Sequence, residues 1–124
     1  DMERVGDHAE NIVEKAKYIF DNGVHFTEKG IQDLQKIGQQ AQSSFSLSID
    51  ALEDSSIDEV IDTKRSEDVV DMMEREMREH HMQRLSEGKC STSAGVAFLD
   101  VIGDLERISD HADNIAGYVK SMLQ

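Results

Sequence analysis

Residues 104–115 read "DLERISDHADNI", and residues 1–12 read "DMERVGDHAENI". Eight of the twelve positions are identical: the Asp, Glu, Arg, Asp, His, Ala, Asn and Ile. In both copies the apolar residues recur at steps of three and four, the spacing of one helix face. A helical phrase written twice at this density reads as the shared ancestry of two repeats. The fold class follows from asking what else surrounds the copies.

The 124 residues form one domain of ordinary size, long enough to bury a single core. Proline is absent and aromatic residues make up 5 %, so the turn punctuation and strand chemistry of a sheet protein are missing. The expected fold is all-α. A net charge of −13 repels nucleic acid and anionic membrane, which leaves cations and basic proteins as partners. The single cysteine, Cys90, cannot form an internal bridge and fits a reducing compartment. No signal peptide is visible, and apolar stretches such as "GVAFL" fall far short of the about 20 residues a membrane span needs.

Outward from the first copy, Met2, Val5, Ala9, Ile12, Val13, Ala16, Ile19 and Phe20 continue the helical line until "DNG" at 21–23. No cap precedes Asp1, so the natural chain is expected to extend upstream. A second helix is expected from about Thr27 to Leu52, with Ile31, Leu34, Ile37, Ala41, Phe45, Ile49 and Leu52 as its buried line. Its middle, "GQQAQSSFSLS", reads either as a close-packing face or as a polar one. The third helix starts at the S-x-x-E box of Ser56 and Glu59, with Ser55 and Asp58 offering a competing register, and ends at Gly88. After the loop "KCSTSAG" the last helix runs from about Ser93 to Leu123. Four long antiparallel helices with short connections make a bundle.

A helix turns about 100° per residue, which places the acids without a structure. With Glu106 at zero, Asp110 lies near +40° and Asp113 near −20°, roughly beside the stripe of Leu105, Ala112, Ala116 and Val119 near −100°. Glu3, Asp7 and Glu10 repeat these angles in the first copy. The third helix carries Glu67, Asp71 and Glu74 at the same spacing, with Val70, Met73 and Met77 as the adjacent apolar residues. Like charges at i, i+4 destabilise a helix by roughly 0.2–0.5 kcal/mol per pair. No basic residue is expected on the strip, so three such triplets call for a hard divalent or trivalent cation.

The other polar residues are expected to be bland. Arg4 and Arg107, Asn11 and Asn114, and His8 and His111 fall away from the apolar stripe and are expected in solvent. His80 and His81 point about 100° apart and are not expected to serve one ion. Glu-x-x-His, the di-iron oxidase signature, is absent, since Val70, Ser109 and Gly6 stand at i+3 after Glu67, Glu106 and Glu3. No nucleophile-and-base pair or phosphate-cradling glycine loop is present, so no enzyme is expected.

"DMERVGDHAENI" and "DLERISDHADNI" resemble the "LERIGDHA" signature of the PhoU family, regulators of phosphate uptake, and "SEDVVDMMEREM" is similar to that family's second E-x-x-x-D helix. The resemblance implies two three-helix repeats, each ending in the signature helix. Residues 1–23 would then be the last helix of a first repeat and residues 27–124 a complete second one. It also implies a multinuclear iron or zinc cluster held by Glu67, Asp71, Glu106 and Asp110, with Glu3 and Asp7 belonging to a second site. Glu74, Asp113 and Glu10 are outer members of the three triplets, and manganese, magnesium or calcium would suit the same oxygens. Two departures from the family pattern stand out. Ser109 replaces the signature glycine, on what is expected to be the solvent side. "CSTSAGVAFLDVIGDLERI" replaces a proline-containing segment and looks like the PhoU-type C-terminal domain of bacterial sodium/phosphate cotransporters. That likeness implies a cytoplasmic domain tethered to the inner membrane, with a transporter membrane domain or another transport-regulatory protein as partner. The competing reading is a metal-free acidic scaffold or dimerisation module. The part-covered stripe of the first helix also predicts a homo-oligomer.

Overall fold

The computed structural model describes residues 2–123; the side chains of Met2, Lys15, Ile19 and Phe20 lie outside the described residues, including three positions of the first helix's expected apolar line. Four helices make up the chain: α1 (Met2–Asp21), α2 (Glu28–Asp54), α3 (Ile57–Ser86) and α4 (Thr92–Leu123). No strand occurs among the described residues. The all-α bundle expected from the periodicity is therefore the fold.

The helix ends follow from local chemistry. Thr27 Oγ1 accepts the Gly30 N–H at 3.0 Å and opens α2. Ser55 closes α2 in the left-handed conformation, φ 52°, and Ser56 Oγ accepts the Glu59 N–H at 3.4 Å to open α3. The two competing serines thus divide the work, one capping each side of the turn. Gly88, at φ 73°, donates its N–H to Leu85 at 3.1 Å while the Lys89 N–H reaches the Arg84 carbonyl at 2.9 Å. That pair of bonds satisfies two orphan carbonyls at the end of α3. The last helix starts at Thr92 rather than Ser93, because Ser91 Oγ accepts the Ala94 N–H at 3.1 Å.

α2, α3 and α4 pack pairwise around one core of Ile37, Ala41, Val70, Met77, Phe98 and Ile102. A smaller cluster of Ala51, Val60, Ala116 and Val119 closes the end near the α2–α3 turn. The small-residue stretch of α2 is a close-packing face: Ala41, Ser44, Ser48 and Ala51 are all buried. Ser44 Oγ lies 2.7 Å from Ser66 Oγ on α3, to which the Gln40 amide also donates at 2.9 Å. This face corrects the expected buried line. Ile31 and Leu52 are exposed and Leu34, Phe45 and Ile49 half-buried, since the close approach runs along the serines and alanines.

α1 stands apart. Among the described residues it packs against α4 alone, antiparallel to it, with Tyr18 beside Val96 and His8 beside His111. The two histidines, equivalent residues of the two copies, stack with ring centroids 5.5 Å apart. His8 Nδ1 lies 3.3 Å from Asp104 Oδ1, which Arg107 also approaches at 3.3 Å. These rings were expected in solvent; instead they form the α1–α4 seam. Burial and the Arg4 charge hold the His111 pKa down, which favours the neutral ring in the stack. Arg4, Arg107, Asn11 and Asn114 are exposed as expected.

Candidate metal centre

α3 and α4 lie side by side with their acidic strips facing. Glu67, Asp71 and Asp110 each bring one carboxylate oxygen to a common point, all within 4.8 Å of one another. Oxygens that share one cation at about 2.0–2.6 Å lie at most about 4–5 Å apart, so the spacing suits a single ion. Glu67 is 4 % exposed, and Asp71, Glu106 and Asp110 are half-buried. Glu106, one turn before Asp110, belongs to the same cluster. Burial first, then the Asp110 and Asp71 carboxyls, push its pKa up to about 8.

Glu67 and Asp110 titrate high for the same main reason. Burial raises the Glu67 pKa, with Asp71 adding to it and Lys64 and Asp110 opposing. Burial likewise raises Asp110, reinforced by Glu67 and opposed by Glu106 and His111. Carboxylates at this separation resist ionising together, so the cluster retains a proton or takes a cation. Asp71 Oδ1 is buried and accepts no hydrogen bond. An orphaned buried carboxylate oxygen is costly, and a cation would supply the missing partner. The converging oxygens of Glu67, Asp71 and Asp110, with the Glu106 carboxyl beside them, thus fit a hard ion, with no nitrogen or sulfur ligand among these residues.

The outer acids behave differently. Asp113 Oδ2 sits 3.7 Å from Lys64 Nζ, and Glu74 pairs with Arg78 one turn along. Both are drawn into ion pairs. Lys64 is the residue the sequence reading missed: its ammonium lies 3.0 Å from Glu67 Oε2 and 3.4 Å from Asp68 Oδ1. The acidic strip therefore does hold a basic residue, contrary to expectation. Lys64 precedes Glu67 by three residues, about +60° around the helix, so the wheel places it beside the strip. Glu67 and Asp113 raise the Lys64 pKa further.

Glu3, Asp7 and Glu10 are all exposed on α1. Among the described residues no other group of three ligand atoms converges as Glu67, Asp71 and Asp110 do. Ser109, expected on the solvent side, is wholly buried, and its Oγ has no hydrogen-bond partner. The cause is angular: Ser109 sits about −60° from Glu106, close to the apolar stripe. His81 is buried against Phe98, ring centroids 4.2 Å apart, and Arg84 reaches its Nδ1 at 3.3 Å. Burial and Arg84 lower its pKa, so it is a neutral core residue. His80 is exposed, and Cys90 is a half-buried loop residue. Among the described residues no helix is long and apolar enough to cross a membrane.

The PhoU domain model matches residues 34–119. The chain is 29 % identical over 120 residues to the phosphate-specific transport system accessory protein PhoU homolog 1 of Thermotoga maritima, covering 93 % of this chain and 49 % of that protein. It is 28 % identical over 115 residues to the corresponding PhoU homolog of Clostridium acetobutylicum, covering 93 % of this chain and 51 % of that one. The chain spans about half the length of each. No solved structure matches.

Proposed function

This chain belongs to the PhoU family, and from that premise we propose that it is a metal-binding regulatory domain of phosphate transport. The carrying observation is the convergence of Glu67, Asp71 and Asp110 from two helices, with Glu106 beside them. These residues would hold the cation, which would bind α3 to α4 by neutralising carboxylates that otherwise repel. Its role is to set the relation of two helices, which is regulation rather than catalysis. The oxygen-only donors suit magnesium, manganese or calcium, and iron or zinc follows from the family resemblance.

Further parts of the reading rest on the sequence. The two copies of the signature make α1 the last helix of one repeat and residues 27–124 a complete second repeat. The segment 90–108 points to the cytoplasmic domain of a sodium/phosphate cotransporter, with the transporter's membrane portion or a transport-regulatory protein as partner. The uncovered apolar positions of α1, with Val13 68 % exposed, support a homo-oligomer in which they are buried.

Melting curves test the metal reading. An ion that binds only the folded state at a hundred times its dissociation constant adds about 2.7 kcal/mol, which is a shift of several degrees. The wild type, stripped with chelator and then given manganese, iron, zinc, magnesium or calcium, should gain this increment with at least one. The Asp71→Asn, Asp110→Asn variant should melt slightly higher when stripped and lose the increment. Identical responses of both proteins to every metal would leave a charged scaffold as the better description.

A further inference from the structure

Between the first half of α3 and the last third of α4 runs a groove of about 700 Å³ that the acidic centre does not use. Its floor is apolar: Val60 and Ala116 are buried beneath it, while Ile57 and Ile61 are 46 % and 44 % exposed on its wall. Its rim is cationic. Lys64, Arg65 and Lys120 line it, with Asp113 as its one acid. In a chain with 13 basic residues against 26 acidic ones, three cations on one apolar groove are a local reversal of sign. Arg65 and Lys120 make no ion pair among the described residues.

We propose that this groove docks an amphipathic helix whose apolar stripe is flanked by carboxylates, and that the acidic centre controls the docking through Lys64. An interhelical trough with an apolar floor accepts one helix face, and the cationic rim selects acidic flanks over basic ones. Lys64 joins the two sites, because its ammonium contacts Glu67 at 3.0 Å and Asp113 at 3.7 Å while its stem lines the groove. A cation on Glu67, Asp71 and Asp110 repels that ammonium and withdraws Glu67 from it. Lys64, on a flexible stem and 56 % exposed, then turns its charge to the rim. Metal dependence of the docking rests on the function proposed above; the docking itself does not.

The probe is a fluorescently labelled helical peptide with leucines at i, i+3, i+4 and i+7 and glutamates on both flanks. A control peptide carries lysines in place of the glutamates. Anisotropy at constant ionic strength should show the glutamate peptide binding about tenfold tighter than the lysine peptide. Ile61→Glu, a change at an exposed wall residue, should weaken it about tenfold without altering the melting curve. Manganese should tighten the glutamate peptide several-fold, and Lys64→Gln should abolish that gain. Equal binding of the two peptides, indifference to Ile61→Glu, or uptake of vesicles or of a second copy at this groove in preference to the peptide would overturn the docking. A manganese-dependent melting shift with unchanged peptide affinity would overturn the coupling while leaving the metal centre standing. Peptide binding with no melting response to any metal would remove the metal centre and keep the groove.

Discussion

The two copies of the signature carry nearly the same residues and live in different surroundings. In α4, Ala112, Ile115, Ala116 and Val119 are buried against α2 and α3, and Asp110 meets Glu67 and Asp71 across the α3–α4 boundary with Glu106 beside Asp71. In α1 the equivalent Ala9, Val13 and Ala16 are exposed, Ile12 is half-buried, and Glu3 and Asp7 face solvent. The contrast separates a motif from a site. An acidic pair at i, i+4 is only half of a centre; the other half is a neighbouring helix that brings its own carboxylates alongside and partly buries both.

The largest effect should come from one substitution made at the same place in each copy. Ala112→Asp puts a carboxylate where no solvent reaches and should cost more than about 4 kcal/mol or prevent folding. Ala9→Asp, on an exposed face, should stay within about 0.5 kcal/mol in urea denaturation. A comparable loss at both positions would mean that α1 is as buried as α4.

Metal response should divide the copies next. Asp110→Asn should remove most of the roughly 2.7 kcal/mol metal-linked increment, whereas Asp7→Asn should leave it intact. An equal loss from both would place Asp7 in the α3–α4 centre rather than in the separate second site that the family resemblance implies.

pH supplies a third separation. Glu106 has a folded-state pKa near 8 against an ordinary value of 4.5, and those of Glu67 and Asp110 are also raised. A raised acid holds its proton better when folded, so its contribution to stability is fully present below pH 4.5 and is lost as pH climbs toward 8. The metal-stripped protein should therefore melt lower at pH 8.5 than at pH 6, with the difference reduced in Glu106→Gln. Saturating metal should flatten or reverse the slope, because a cation held there would bind the deprotonated cluster.

The smallest expected effect is at the position where the copies differ in kind. A Cβ at Gly6 meets nothing within 4 Å, so Gly6→Ala in an exposed helix interior should stabilise by about 0.5–1 kcal/mol. Ser109 is its buried counterpart with an unpartnered Oγ, and Ser109→Ala should be neutral or stabilising by up to about 1 kcal/mol. Destabilisation by Ser109→Ala would show that the hydroxyl has a partner the protein scaffold does not provide.

By itself the sequence determined the helices. Apolar spacing, Thr27, Ser56 and Gly88 set their ends to within a residue or two, because helix periodicity and capping are local chemistry. The acidic shoulder of α3 and α4 was legible for the same reason: a helix fixes the angle between neighbours on one chain. Only the tertiary structure decided which shoulders face each other. It brought Glu67, Asp71 and Asp110 together, left Glu3 and Asp7 outside, and turned Asp113 and Glu74 to basic partners. It also moved the α2 contact from Ile31 and Leu52 to the small Ser44, Ser48 and Ala51, and stacked His8 on His111. Convergence and burial belong to pairs of helices, and no residue of one helix specifies the distance to the next.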